Sequence, residues 1–73
     1  TTSGKSSNII KAINTAKLQG VQTIVLTGEN GLHGVDADLI LPVPSVITAR
    51  IQEEHDAIIH AICDLVDLAF PEL

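Results

Sequence analysis

The apolar positions of the chain change from helical spacing to short aliphatic runs and back again. Between positions 7 and 19, apolar residues recur three or four positions apart, which indicates an amphipathic helix. Ser6 or Ser7 is a suitable N-cap for this helix, and Gly20 is a suitable residue just past its end. The apolar residues that define the helix are Ile9, Ile10, Ile13 and Ala16.

Two aliphatic runs follow this helix. Positions 21–27 read VQTIVLT and positions 37–43 read ADLILPV, and both runs are typical of strands. The nearly continuous apolar character of the first run predicts a strand buried on both faces, as in a parallel sheet. Pro42 restricts the second strand to a sheet edge or a strand end, because proline has no backbone N–H to donate.

A second helix is predicted over positions 46–70, with Pro71 ending it. From Ala57 onward this helix is apolar nearly all round, which predicts burial against more protein than 73 residues supply. The element order indicates an α/β fold with a parallel sheet, and it implies a further strand ending just before Thr1.

Composition excludes several classes of function. Four basic residues against nine acidic ones give a net charge of -5, which argues against direct binding to nucleic acid. There is no signal peptide and no apolar run long enough to span a bilayer, so no membrane partner is expected. The single cysteine, Cys63, allows no internal disulfide, and we expect a cytoplasmic protein.

The first seven residues, TTSGKSS, have the composition of an anion-binding loop before a helix. Unpaired N–H groups and the helix dipole favour negative charge at a helix start, Gly4 permits close approach and Lys5 adds charge. An ordinary serine-rich turn with an N-cap fits the same residues equally well. The end of a P-loop is a weaker alternative, because that motif needs a glycine five positions before Gly4. The hydroxyl groups belong to Thr1, Thr2, Ser3 and Ser6.

The second helix carries a polar stripe of Gln52, Asp56 and His60, which lie within about 80° of one another at 100° per residue. A neutral imidazole at His60 could bind a metal or carry a proton, and it could equally be a histidine with one hydrogen-bond partner. His60 shares the polar stripe with Gln52, whereas His55 is closer to Gln52 along the helix. Local geometry therefore does not choose between the two histidines.

Five segments together resemble one family. They are TTSGKSSN, IIKAINTAKLQG, the strand ending LTG, ADLILPVP, and TARIQEEH with His60 five residues further on. The pattern resembles the C-terminal half of a sugar isomerase (SIS) domain and, within that family, the phosphoheptose isomerases. The resemblance implies a three-layer αβα fold with a central parallel sheet, in which residues 1–73 are the C-terminal half of a single SIS domain.

The resemblance also implies a function and a set of site residues. The reaction would be the aldose–ketose interconversion of sedoheptulose 7-phosphate and D-glycero-D-manno-heptose 7-phosphate in a cytoplasmic homotetramer. Gln52 would contact substrate and a zinc ion, and His60 would bind the zinc and act in acid–base catalysis. The other zinc ligands, a His and a Glu, would come from the N-terminal half. The substrate phosphate would be held by Thr1, Thr2, Ser3 and Ser6.

Two other functions are compatible with the same fold. One is a DiaA-like SIS protein that binds the replication initiator without chemistry, and ICDLVDLAFP resembles that relative. The other is a sugar-phosphate-sensing regulatory domain, which would keep the loop but need no metal stripe. His60 favours the isomerase, because the DiaA-type pattern lacks a histidine there. The pathway that uses the heptose product, such as lipopolysaccharide synthesis, is not indicated.

Overall fold

The computed structural model describes residues 1–72, and it contains two helices and two strands. Leu73, the last residue of the predicted domain, lies outside the described residues. The elements follow the predicted order and confirm the α/β class, although both strands are shorter than predicted. In chain order they are α1 (Ser7–Leu18), β1 (Ile24–Thr27), β2 (Leu39–Pro42) and α2 (Thr48–Ala69).

Helix α1 ends as the sequence predicts. Gly20 has a φ of 72°, a left-handed conformation that glycine adopts without a steric penalty. Its N–H donates to the Lys17 carbonyl at 3.1 Å, and the N–H of Val21 donates to the Ala16 carbonyl at 2.9 Å. These two bonds form a Schellman motif, which satisfies carbonyls that the end of the helix leaves free.

Strands β1 and β2 pair in parallel, with Ile24 opposite Leu39 and Thr27 opposite Pro42. Pro42 is the last residue of β2, and a strand end is one of the two positions that its missing N–H allowed. The Thr23 carbonyl accepts a hydrogen bond from the Leu39 N–H of β2, and the Thr27 carbonyl accepts one from Val43, the residue after β2. Because a parallel strand directs alternate residues to opposite neighbours, Ile24 and Leu26 direct their backbone groups to the other edge of β1.

The core is small and lies between α1, β1 and the loop that follows β1. Its buried members are Ile13, Val25 and Leu32. The prediction that β1 is buried on both faces is wrong for the described residues, since Ile24 keeps 57% of its surface exposed while Val25 keeps 7%. Alternate residues of a strand point to opposite faces, so the packed face is the one that carries Val25.

Helix α2 is packed at its start and exposed along most of its length. Ile51 is its buried residue, with 2% exposure, whereas Leu65 and Leu68 are 65% and 78% exposed. A chain of this size therefore leaves the apolar half of α2 uncovered, as its composition predicts. Over residues 1–72, neither helix combines the length and hydropathy that a membrane span requires.

A clasp of hydrogen bonds between Thr23 and Asp38 joins the two strands where they begin. The Asp38 carboxylate accepts from the Thr23 backbone N–H at 2.7 Å and from the Thr23 hydroxyl at 3.3 Å. The Asp38 N–H in turn donates to the Thr23 hydroxyl at 3.1 Å. These contacts set the register of the sheet at the end opposite the candidate site.

Replacing Asp38 tests the clasp. Because Asp38→Ala removes a charged acceptor from two donors, we expect the free energy of unfolding in urea to fall by about 1–2 kcal/mol. Asp36→Ala is the matched control, since Asp36 pairs with Lys17 on the exposed surface and such pairs contribute about 0–1 kcal/mol. Equal effects of the two changes would show that the clasp contributes nothing of its own.

Candidate functional site

The loop of residues 1–6 is attached to the carboxyl end of β1. The backbone nitrogen of Thr1 donates to the Leu26 carbonyl at 2.8 Å. Leu26 is one of the residues whose backbone faces away from β2, so this bond lies on the edge of β1 that β2 does not occupy. The attachment holds the start of the loop at the end of the sheet.

The hydroxyl groups of the loop organise its backbone. The Thr1 and Ser6 hydroxyls are 3.2 Å apart, which closes the loop from its first residue to its last. The N–H groups of Gly4 and Lys5 donate to the hydroxyls of Thr1 and Ser3, at 3.2 Å and 3.1 Å. Thr1 and Ser6, which the sequence placed in one site, are thus in direct contact.

Ser6 occupies the N-cap position of α1, but its side chain makes no capping hydrogen bond. The simple capping role that the sequence allowed is therefore not observed, and the Ser6 hydroxyl turns to Thr1 instead. The first turn of a helix without a side-chain cap presents N–H donors to solvent or to a ligand. Together with the helix dipole, this arrangement favours an anion at the loop.

Two glycines allow the loop to pack closely against its neighbours. Gly4 has a φ of 70°, and a Cβ there would overlap the carbonyl oxygen of Gly31. At Gly28, which directly follows β1, a Cβ would lie 2.7 Å from Ile51 Cδ1 and 2.9 Å from the Thr2 carbonyl oxygen. The loop, the segment after β1 and the start of α2 therefore meet around positions without side chains.

These three segments, together with Ser45 and Val46 before α2, line a partly open pocket of about 240 Å³. Its polar lining is mainly hydroxyl and amide, with one cation at Lys5 and one carboxylate at Glu29. Sequence reasoning missed the wall formed by Asn30, Ser45 and Thr48. The available signal was topological, because residues that follow parallel strands meet at one edge of the sheet. The loop residues that line the pocket are Thr2, Ser3 and Lys5.

Gln52 and His60 are exposed on α2, and no hydrogen bond within residues 1–72 joins either side chain to the loop. At 100° per residue, His60 lies about half a turn around the helix from the buried Ile51, so it faces away from the loop of its own chain. The structure thus places Thr2 and Ser3 at one pocket and brings the Thr1 and Ser6 hydroxyls into contact with each other, but it does not bring His60 to any of them.

The same geometry bears on the expected zinc ion. The described residues contain no group of three or more His, Cys, Asp or Glu side chains that could hold a metal. Gln52 and His60 supply one amide oxygen and one imidazole nitrogen, and their backbones are about 12 Å apart along the helix axis. A four-coordinate zinc site needs more ligands than these two. Residues 1–72 therefore do not form a zinc site by themselves.

His55, which spacing alone could not distinguish from His60, is the histidine that contacts the sheet. Its Nε2 lies 2.9 Å from the Thr27 carbonyl oxygen, in a partly buried contact. A carbonyl oxygen only accepts, so Nε2 carries the proton. The signal for this contact was periodicity, since His55 lies one turn after Ile51 on the face that packs against the sheet.

An α/β unit with a parallel sheet and a hydroxyl-rich loop before a helix is a common scaffold for binding phosphate groups. The chain is 46% identical to the phosphoheptose isomerase of Coxiella burnetii, in an alignment that covers 90% of this chain and 35% of that relative. Two phosphoheptose isomerases of Neisseria meningitidis, from serogroups C and A, are 47% and 44% identical, with 90% of the chain and 36% of each relative covered.

These matches confirm the resemblance to phosphoheptose isomerases along nine-tenths of the chain. The chain spans about a third of the length of these relatives. No family model matches the chain, and no solved structure matches it.

Gly4 provides a test of the loop's close packing. Gly4→Ala places a Cβ both in a left-handed conformation and against the Gly31 carbonyl, so we expect it to lower the free energy of unfolding by about 2 kcal/mol or more. Gly34→Ala is the control, because Gly34 has a φ of 73° with open space around it and incurs only the conformational cost of about 1–2 kcal/mol, less than the combined cost at Gly4. Equal losses in thermal or urea unfolding would contradict the close contact.

Proposed function

We propose that residues 1–73 are the C-terminal half of an SIS domain in a phosphoheptose isomerase. The proposed enzyme interconverts sedoheptulose 7-phosphate and D-glycero-D-manno-heptose 7-phosphate. The observation that carries the proposal is the closed Thr1–Ser6 loop at the uncapped start of α1, beside a pocket lined by hydroxyls. The names of the relatives supply the reaction class.

The free edge of β1 supports the larger three-layer fold. The backbone groups of Ile24 and Leu26 face that edge, and the bond from Thr1 to Leu26 has the direction of a sheet bond. An open groove of about 530 Å³ runs along the same edge, between apolar residues of α1 and the His55–Ile59 turn of α2. We propose that a parallel strand leading into Thr1 fills this groove and continues the central sheet.

The phosphate of the substrate is bound at the loop in this proposal. The hydroxyls of Thr1, Thr2, Ser3 and Ser6 donate to its oxygens, and the first N–H groups of α1 add further donors. Lys5 contributes a positive charge, and Glu29 adds a negative charge to the same pocket, so we place the phosphate on the Lys5 side. The sugar then extends from the loop toward the start of α2, where Gln52 contacts it.

The isomerisation moves a proton between C1 and C2 of the sugar through an enediol or enediolate. It needs an acid–base group that titrates near neutral pH and donors that stabilise the developing oxyanion. We assign the proton transfer to His60, since imidazole is the side chain suited to that pH range. Because His60 faces away from the loop of its own chain, we propose that it acts at a loop supplied by a second copy.

Assembly also accounts for the exposed part of α2. Leu65, Leu68 and Phe70 leave 58–78% of their surfaces uncovered, which is costly for apolar side chains in water. We propose that α2 packs against other copies in a homotetramer. We also propose that Gln52 of one copy and His60 of a second copy bind one zinc, together with ligands from outside residues 1–72, and that the zinc stabilises the oxyanion.

Ser6 tests the phosphate site. In the full-length protein, Ser6→Ala removes one hydroxyl donor to a charged ligand, so we expect KM for sedoheptulose 7-phosphate to rise about tenfold or more. Ser7→Ala is the control, because Ser7 is exposed on the first turn of α1 and lies outside the proposed contact set. Steady-state kinetics measure both variants, and an unchanged KM in Ser6→Ala would remove Ser6 from the site.

His60 tests the chemistry. His60→Ala in the full-length protein is expected to lower kcat by about a hundredfold or more and to reduce bound zinc, while the tetramer persists. Asp64→Ala, one turn further along the exposed part of α2, should leave turnover and zinc content unchanged. Turnover, elemental analysis and light scattering give the three readouts. An intact wild-type tetramer with neither turnover nor zinc would overturn the isomerase and favour a non-catalytic binding protein.

A further inference from the structure

One short stretch of β1 is bonded both to the phosphate loop and to α2. The Leu26 carbonyl accepts from Thr1 at 2.8 Å, and the neighbouring Thr27 carbonyl accepts from His55 at 2.9 Å. Thr27 is fully buried, and its carbonyl also accepts from the Val43 N–H at 2.9 Å. The acceptor for His55 is therefore held in place by the sheet and does not follow movements of the helix.

His55 lies one helical turn after Gln52 on α2. A bond from its ring to a fixed carbonyl sets how far α2 slides along its axis and rotates around it. The position of Thr1, at the start of the loop, is fixed by the adjacent Leu26 carbonyl. The loop and α2 are therefore both held by two neighbouring residues of β1. The distance between the loop and Gln52 therefore depends on this pair of contacts.

We propose that His55 is a positioning residue for the isomerase, holding Gln52 at a set distance from the phosphate loop through its Nε2–H bond to Thr27. The effect of this contact on catalysis rests on the proposed function. Within residues 1–72 the ring bonds to no other group, so its contact is with the scaffold and not with the loop hydroxyls. His55 itself exchanges no proton with substrate in this role.

Three variants of the full-length protein separate the possible roles of His55. His55→Gln places an amide N–H at about the reach of Nε2 and so keeps the donor. His55→Asn has the same amide on a shorter side chain, at the reach of Nδ1, and loses the bond. His55→Leu keeps apolar volume and has no donor. The measurements are kcat and KM for sedoheptulose 7-phosphate, the pH profile of kcat/KM, and thermal unfolding.

We expect His55→Leu and His55→Asn to lower kcat about tenfold to a hundredfold, because small displacements of a substrate-orienting group are costly. KM should change less than about threefold, since Thr1 holds the loop through a separate bond. His55→Gln should restore kcat to within about threefold of wild type, with the same pH profile. Leu and Asn variants as active as wild type would overturn the proposal.

Two further results are distinguished by the same experiment. If His55→Gln is as inactive as His55→Leu and a limb of the pH profile disappears, His55 is itself an acid–base group and the positioning role is wrong. If the wild-type protein has no turnover, the proposed reaction fails. The long-range ¹H–¹⁵N NMR spectrum of the His55 ring then shows which ring nitrogen carries the proton. A neutral ring without a proton on Nε2 would overturn the proposed bond to Thr27.

Discussion

The carboxyl end of β1 is the point on which the described structure depends. Over Leu26 and Thr27, backbone carbonyls accept hydrogen bonds from the loop, from α2 and from the residue after β2. A buried carbonyl left without a donor is costly, so each bond both satisfies the strand and places a neighbouring element. The candidate site forms here because the chain segments that enclose it are all held by this end of the strand.

The absence of side chains at two positions completes that arrangement. Gly28 lets the Thr2 backbone and the Ile51 side chain approach from two directions, and Gly4 lets the loop pass under the Gly31 carbonyl. Larger residues would separate the segments by the thickness of a methyl group or more. The pocket between them is consequently small, and most of the side chains that line it are polar.

Helix α2 connects this end of the sheet to a surface that one chain leaves open. Its first turns are packed through Ile51 and bonded through His55, whereas its later turns expose apolar side chains. Because an α-helix is rigid over a few turns, fixing the first turns of α2 also fixes the direction of its exposed later turns. In the proposed assembly, the anchoring of His55 in one chain therefore also determines where His60 is presented to another.

Much of the local structure was determined by the sequence itself. The spacing of Ile9, Ile13 and Ala16 with Gly20 behind them predicted α1 and its end, because helix spacing and left-handed φ are local properties. Pro42 restricted β2 to a sheet edge or a strand end, because its missing N–H is also a local property. The hydroxyl-rich loop was also recognisable, since its composition is what an anion site requires.

Only the tertiary structure decided which groups meet. Local geometry did not choose between His55 and His60, and it is the packing of Ile51 against Gly28 that turns His55 to the sheet and His60 away. Ser6 was an expected cap, yet the Thr1 hydroxyl competes for its side chain across the closed loop. Asn30, Ser45 and Thr48 join the pocket because a parallel sheet brings the ends of separate strands to one edge, a distance that no local pattern encodes.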